Sequence, residues 1–166
     1  MESPKGPVFF IQKRSGKNGS RFKLFKFRTM VENAEEMKKE LWHLNELEWP
    51  DFKITNDPRI TKIGKILRKT SLDEIPQIIN ILLGDMSLVG PRPTFFSSDE
   101  YAMWQTERLD IKPGLTGVWQ LYGRGEVLFD DRVRMDILYV QNFSLGMDLY
   151  IMLKTPGAVI SQKGSK

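Results

Sequence analysis

The sequence predicts a mixed α+β fold: an N-terminal β-hairpin followed by several amphipathic helices. Three observations carry this. Residues 8–30 mix apolar and basic side chains at strand spacing around a turn-forming cluster. Segments near 33–47, 60–67 and 126–142 repeat apolar residues at about the helical period. Glycine and proline punctuate the chain between them. The 166 residues read as a single domain over 1–166, with 1–7 and 161–166 expected to be flexible.

The hairpin comes first. Val8 to Lys13 is rich in β-branched and aromatic residues, and Arg21 to Met30 interleaves Phe22, Leu24, Phe25 and Phe27 with Lys23, Lys26 and Arg28. Ser15 to Ser20 supplies the turn. Two readings of its basic residues stay open, a solvated face and an anion-binding face. The aromatic positions read as one buried face.

Asn33 to Leu47 is predicted helical, with Ala34, Met37, Leu41, Leu44 and Leu47 on one stripe and Trp49-Pro50 as the stop. His43 lies on it as a surface or packing residue. Asn56-Asp57-Pro58 is a turn. Ile60, Ile63, Ile66 and Leu67 then mark an amphipathic helix bearing Arg59, Lys62, Lys65, Arg68 and Lys69. A second helix runs from Ser71 to Leu83, where Gly84-Asp85 breaks it. Gly90-Pro91-Arg92-Pro93 excludes regular structure. Ser98 to Arg108 is a short helix. Lys112 to Gly125, with two prolines or glycines at each end and Gly117 between, reads as a long loop of functional character. Glu126 to Asn142 is helical along Phe129, Val133, Ile137 and Val140, and Asp148 to Thr155 is helical up to Pro156-Gly157.

Composition excludes several classes of chemistry. There is no cysteine, hence no disulfide, thiolate zinc site or cysteine nucleophile, and a single histidine removes any mechanism needing two. The N-terminal residues lack the apolar core of a signal peptide, and no run approaches the roughly 18–20 apolar residues that span a bilayer. The net charge is +4. It is segregated: residues 12–30 carry seven basic and no acidic side chains, the balance reverses from Glu32 to Asp51, and 59–69 is basic again. Segregated positive charge asks for an anionic partner, whether nucleic acid, anionic membrane or a phosphorylated substrate. The usual glycine-rich phosphate loops and nucleic-acid reading patterns are missing.

The segment that stands out is Thr70-Ser71-Leu72-Asp73-Glu74-Ile75-Pro76-Gln77. One reading is structural: Ser71 and Glu74 form a capping box, and acids suit a first helical turn. The other is chemical. Adjacent helical residues diverge by about 100°, so Asp73 and Glu74 cannot flank one glycosidic bond. They can act from different sides of one phosphate. Asp73, beside Arg68, should stay ionised at neutral pH, which suits a nucleophile or a Mg²⁺ ligand. Its longer neighbour could reach the same ion or handle a proton. Arginines would neutralise the phosphate.

Four collinear stretches resemble the catalytic domain of the bacterial sugar transferases, the monotopic polyprenyl-phosphate glycosyl-1-phosphate transferases. They are GPVFFIQKRSGKNGSRFKLFKFRTM (6–30), NDPRITKIGKILRKTSLDEIPQIINILLGDMSLVGPRP (56–93), KPGLTGVWQLYGR (112–124) and DILYVQNFSLGMDLYIMLKT (136–155). The helix at 33–49 resembles the insertion of the larger members, the hexose-1-phosphate transferases. The resemblance implies transfer of sugar-1-phosphate from a nucleoside diphosphate sugar, by family analogy a UDP-hexose, to polyprenyl (undecaprenyl) phosphate. A nucleoside monophosphate is released, and the step opens exopolysaccharide, capsule or O-antigen synthesis. It makes Asp73 and Glu74 catalytic, with Asp73 forming an aspartyl phosphosugar and both residues available to Mg²⁺. It gives substrate-binding roles to Lys26, Arg28, Arg68, Arg92 and Arg124. It places some helices on the membrane surface, at the cytoplasmic face of the bacterial inner membrane, with no nucleic-acid partner; a homo-oligomer is compatible with it. Family members also carry an N-terminal membrane segment, and this sequence opens just after the point where that segment would end. The domain alone is therefore expected to be soluble or peripheral. Pro156-Gly157 departs from the family's more continuous C-terminal helix and is expected to alter packing or membrane contact. The rival expectation is a non-catalytic basic module for anionic lipid or nucleic acid, which has no use for two acids inside its basic patch.

Overall fold

The computed structural model describes residues 6–122 and 127–161. The expected flexibility of 1–5 and 162–166 and the placement of Arg124 lie outside these residues. Strands β1 (Phe9–Ser15) and β2 (Arg21–Phe27) pair antiparallel, Phe9 facing Phe27 and Ser15 facing Arg21. The turn is one 3-10 turn, Lys17–Gly19, in which Asn18 and Gly19 take positive φ. Period-two alternation puts Arg14, Phe22, Leu24 and Lys26 on one face and Lys13, Lys23, Phe25 and Phe27 on the other. Phe22 and Leu24 are buried with Met86 and Ile81, whereas Phe27 stacks on Phe9 across the opposite face, at 5.7 Å between ring centroids. The expectation of one aromatic face therefore fails: the aromatics divide between the two faces.

Helix α1 (Ala34–Glu40) is shorter than the predicted 33–47 span, and a 3-10 turn, Leu41–Leu44, follows it. Beyond Glu40 the stripe residues Leu44 and Leu47 are exposed. Asn45 then competes with the helix for backbone groups. Its amide donates to the Leu47 and Asp51 carbonyls and accepts from the Lys53 N–H at 2.9 Å, folding the chain back. Trp42 meets Phe52 across this bend.

Helix α2 (Lys62–Lys69) begins at Thr61, whose side chain accepts from the Gly64 N–H. Arg59, expected among the basic residues of this helix, is buried ahead of it in an ion pair with Asp57. Gly64 lies against the backbone of Thr29. A methyl there would sit 2.7 Å from the Thr29 carbonyl carbon, and the neighbour is main chain that cannot swing aside. Gly64→Ala is expected to cost about 1–3 kcal/mol by overpacking, read as a lowered midpoint in urea with an unchanged slope.

The helix predicted over 71–83 is divided. Ser71 is left-handed (φ 55°) and caps nothing, Leu72–Glu74 is a 3-10 turn, and helix α3 (Gln77–Leu82) starts after Pro76. A continuous helix would have needed an N–H at Pro76. Helix α3 holds the hairpin through Asn80, which is fully buried. Its carbonyl accepts from the Phe25 N–H (3.1 Å) and its amide donates to the Lys23 carbonyl (2.7 Å). Asn80→Ala leaves two strand groups unpaired and is expected to cost about 2 kcal/mol, measurable by the same titration.

Strand β3 (Ser87–Val89) pairs parallel with β4 (Gly114–Thr116), and helix α4 (Val118–Tyr122) follows directly. The predicted loop over 112–125 is thus largely ordered secondary structure. Its glycines serve close approach: a side chain on Gly114 would collide with the Gly90 N–H and the Val89 carbonyl carbon. The 98–108 segment forms two 3-10 stretches, Ser98–Glu100 and Met103–Leu109. Helix α5 (Phe129–Asn142) buries Val133, Asp136 and Tyr139. Helix α6 (Leu145–Ile160) runs through Pro156, against expectation. Pro156 lies on the exposed side, and the Thr155 hydroxyl bonds back to the Ile151 carbonyl at 2.8 Å. The missing N–H therefore occurs where water reaches the helix. Val89, Tyr139 and Ile151 form one buried cluster, and Phe96, Tyr101 and Leu109 another.

Candidate active site

The acidic pair sits on the 3-10 turn between α2 and α3, facing the inner side of the hairpin. Strand β2 delivers Lys26, whose Nζ donates to Glu74 Oε1 at 2.9 Å. The loop after β3 delivers Arg92, whose guanidinium grips both Glu74 oxygens. Burial alone would push the Glu74 carboxyl up. Arg92 and then Lys26 overcome this and hold it well below the usual carboxylate range. Glu74 is thus neither the capping-box partner of Ser71 nor a ready proton carrier, because its oxygens are engaged by two cations.

Asp73 differs. No hydrogen bond to its carboxylate occurs among the described residues. Burial, then the neighbouring charge of Glu74, pushes its pKa up, while Lys26, Arg68 and Arg92 pull it down. Its charge is therefore uncompensated by direct contact yet bathed in positive potential, the condition of an accessible oxygen nucleophile. Arg68 stands at the end of α2 with its Nε donating to the Thr29 hydroxyl at 2.9 Å, and its field reaches Asp73. Lys26, Arg68 and Arg92 are therefore brought to the pair. Arg28 is not: it donates to the Pro7 carbonyl at 2.8 Å and lies over the Phe10 ring.

Two further groups lie beside Arg92 without a motif to mark them, and one of them, the Arg108–Asp136 pair, holds its backbone. Arg108 donates to the Arg92 carbonyl at 2.9 Å and is ion-paired with Asp136, both nearly fully buried. Burial pushes the Asp136 carboxyl up to about 6, with the Arg108 guanidinium opposing it. Arg14 lies on the hairpin's inner face near Arg92, and the Ser15 N–H at the end of its strand bonds to the Thr94 carbonyl at 3.0 Å. Strand alternation counted from Phe22 would have placed Arg14 and Lys26 on that face; the Arg108–Asp136 pair has no signal in the sequence.

The donor set suits a hard cation only as one shared with substrate. Among the described residues no group of three or more acidic or histidine side chains forms a metal cage. Mg²⁺ commonly uses one or two carboxylates together with substrate phosphates and water. Asp73 offers a free carboxylate and Glu74 an occupied one, and the surrounding cations disfavour a dication until an anionic substrate arrives.

Around this site the surface is apolar. Ile63 and Ile66 of α2, Leu72 of the turn, Ile75 just after it, Ile78, Ile79 and Leu82 of α3, and Leu83 at its end are all exposed, Leu82 by 82%. The apolar stripe of α2 thus faces outward, while Gly64 and Arg68 face the protein. No helix among the described residues is long and apolar enough to cross a membrane.

Residues 1–162 match the family described as bacterial sugar transferase. The galactosyl transferase CpsE of Streptococcus agalactiae is 47% identical over 163 residues, covering 97% of this chain and 36% of that protein. The undecaprenyl-phosphate galactose phosphotransferase of Salmonella typhimurium is 46% identical over 167 residues, covering 96% of this chain and 35% of that protein. The exopolysaccharide production protein ExoY of Rhizobium meliloti is 45% identical over 167 residues, covering 96% of this chain and 73% of that protein. The chain thus spans about a third of the length of the first two relatives.

Proposed function

Since the chain belongs to the bacterial sugar transferase family, we propose that it transfers sugar-1-phosphate from a UDP-sugar to undecaprenyl phosphate, in exopolysaccharide or capsule synthesis. The observation that supports this best is the unequal acidic pair. Glu74 is consumed by Lys26 and Arg92, while Asp73 keeps an unpartnered carboxylate beside them. A capping or purely structural role would leave no such asymmetry.

In this reading a carboxylate oxygen of Asp73 attacks the phosphorus that bears the sugar. The phosphoanhydride P–O bond breaks and the nucleoside monophosphate departs with the electron pair. A phosphate oxygen of the lipid then attacks the same phosphorus and releases Asp73. Arg92 and Lys26 are placed to offset charge on the transferring group, and Glu74 fixes their positions. Arg68, with Lys26 and Arg92, favours the ionised form of Asp73 against burial and the charge of Glu74. Mg²⁺, held by Asp73, Glu74 and the donor's phosphates, would supply neutralisation of the pyrophosphate.

The acceptor's phosphate lies at headgroup level. The apolar side chains of α2 and α3, with Lys62, Lys65 and Lys69 among them, suit a domain seated on an anionic bilayer with the acidic pair near the lipid phosphate. The test is a screen of nucleotide sugars against this chain in vesicles containing undecaprenyl phosphate, reading released nucleoside monophosphate. Release that depends on both donor and lipid phosphate is expected. Release with no sugar-phosphate appearing on the lipid overturns the reading.

A further inference from the structure

Arg92 also lines an open cavity of about 160 Å³ in which Glu74 takes no part. Its polar lining is almost wholly cationic: Arg14, Arg92, Arg108 and Arg132, with Asp51. Three of the four guanidiniums have carboxylate partners. Arg92 has Glu74, Arg108 has Asp136 and Arg132 has Asp51. Arg14 has none among the described residues. It donates to the Gln12 side chain and to the Pro93 carbonyl (3.5 Å), and its buried Nε has no partner among the described residues. The buried Nε atoms of Arg108 and Arg132 are likewise unpaired. A surplus guanidinium beside a second one is costly: burial, then the charge of Arg92, lowers Arg14 to a pKa of about 10. An incoming anion would relieve it.

The remaining wall is apolar and flat. Trp119 and Phe129 flank the Arg132 guanidinium at 5.1 and 5.7 Å, and Pro50 and Phe95 complete the mouth. A sugar ring needs acceptors as well as donors for its hydroxyls. This cavity offers many N–H donors and one already paired carboxylate. It fits a phosphate joined to a planar apolar group.

Resting on the proposed transfer, we propose that this cavity seats the leaving nucleoside monophosphate of the donor, with Arg14 binding its phosphate and the Trp119–Phe129 wall receiving its base. Arg92 then stands between the two phosphates, touching the transferring one through its position beside Glu74 and the departing one from the cavity side. Arg14 is distinct from the residues gathered at the acidic pair, and its role is to hold the leaving group.

The test is equilibrium binding of uridine 5′-monophosphate, uridine and inorganic phosphate by calorimetry, with no turnover required. In the unaltered protein the nucleotide is expected to bind more tightly than either fragment. Arg14→Met should weaken the nucleotide by about ten- to a hundredfold, the scale of a charge-assisted contact, and leave uridine within twofold. Arg14→Lys should recover part of the loss. Trp119→Leu should weaken nucleotide and uridine alike, and it keeps the proposal open to refutation if Arg14→Met does not fold. Nucleotide affinity unchanged in either Arg14→Met or Trp119→Leu overturns the assignment. Inorganic phosphate binding as tightly as the nucleotide also overturns it, since the site would then recognise any phosphate, that of the lipid included. The two proposals fail separately: nucleotide binding without transfer to lipid sinks the reaction, whereas transfer with full nucleotide affinity in Arg14→Met sinks only this seat.

Discussion

Asp73→Asn is expected to lower turnover by at least about a thousandfold, the scale of removing a covalent nucleophile, while the fold survives. The stability half of this expectation follows from the carboxyl's environment. Burial and Glu74 raise its pKa in the folded protein. A carboxyl with a raised folded pKa is more costly to ionise in the fold than in the unfolded chain. Its charge therefore opposes folding in full above the folded pKa, and stability rises as the pH falls from the folded pKa toward the ordinary value. Neutral asparagine removes that opposition, so the melting temperature should be unchanged or slightly higher. Residual turnover within tenfold of the parent would mean that Asp73 is not the nucleophile. An adduct of sugar phosphate on Asp73, trapped by rapid quench and weighed by mass spectrometry, would identify the bond directly.

Glu74→Gln acts in the opposite sense. The substitution keeps shape but strands Lys26 and Arg92 without their counter-charge. Removing one partner of a fully buried pair costs about 3–5 kcal/mol. Here the side chains remain 18–31% exposed and the amide oxygen still accepts a hydrogen bond, so about 2–3 kcal/mol is expected on the same scale. The pH dependence has a definite sign. The folded pKa of Glu74 lies far below its ordinary value of 4.5. Its contribution is therefore present above that value and lost progressively as the pH falls below it. The difference in stability between parent and Glu74→Gln should be full at pH 7 and shrink below about pH 4.5. Turnover should fall about a hundredfold or more as Arg92 loses its anchor. Whatever activity remains should show its acid limb moved to lower pH, because Glu74 no longer raises Asp73. A variant as stable as the parent at neutral pH would show that the two ion pairs contribute nothing net.

What was legible in the sequence was local. The hairpin followed from the spacing of Phe22, Leu24 and their neighbours, and α5 from the stripe through Val133. The acidic pair was found because two carboxylates between Arg68 and an apolar run are unusual. Its surroundings were less accessible. Ser71 and Glu74 have the spacing of a capping box, yet Pro76 prevents the helix that would need one, and Glu74 turns to Lys26 and Arg92 instead. Those contacts span 48 and 18 residues of sequence, which no periodicity encodes. The stripe of α2 is legible in the sequence, but the direction it faces is not. Gly64 sets that direction, since a helix that packs through a glycine on main chain turns its isoleucines away. Lys112 to Gly125 reads as a loop because glycine and proline usually break structure. Here Gly114 and Gly117 instead let β4 approach Gly90 closely enough to pair with β3.

Asn80 has a consequence for how molecules of this protein meet one another. A two-stranded ribbon leaves each outer margin with unpaired peptide groups, which invite a strand from another molecule. On the margin of β2 those groups are the Phe25 N–H and the Lys23 carbonyl, and one side-chain amide occupies both. An asparagine amide presents one acceptor and one donor, as a peptide does. Asn80 thus stands in for a third strand and closes that margin to β-addition. Between copies of this domain, a single side chain keeps these two groups from pairing with a foreign strand.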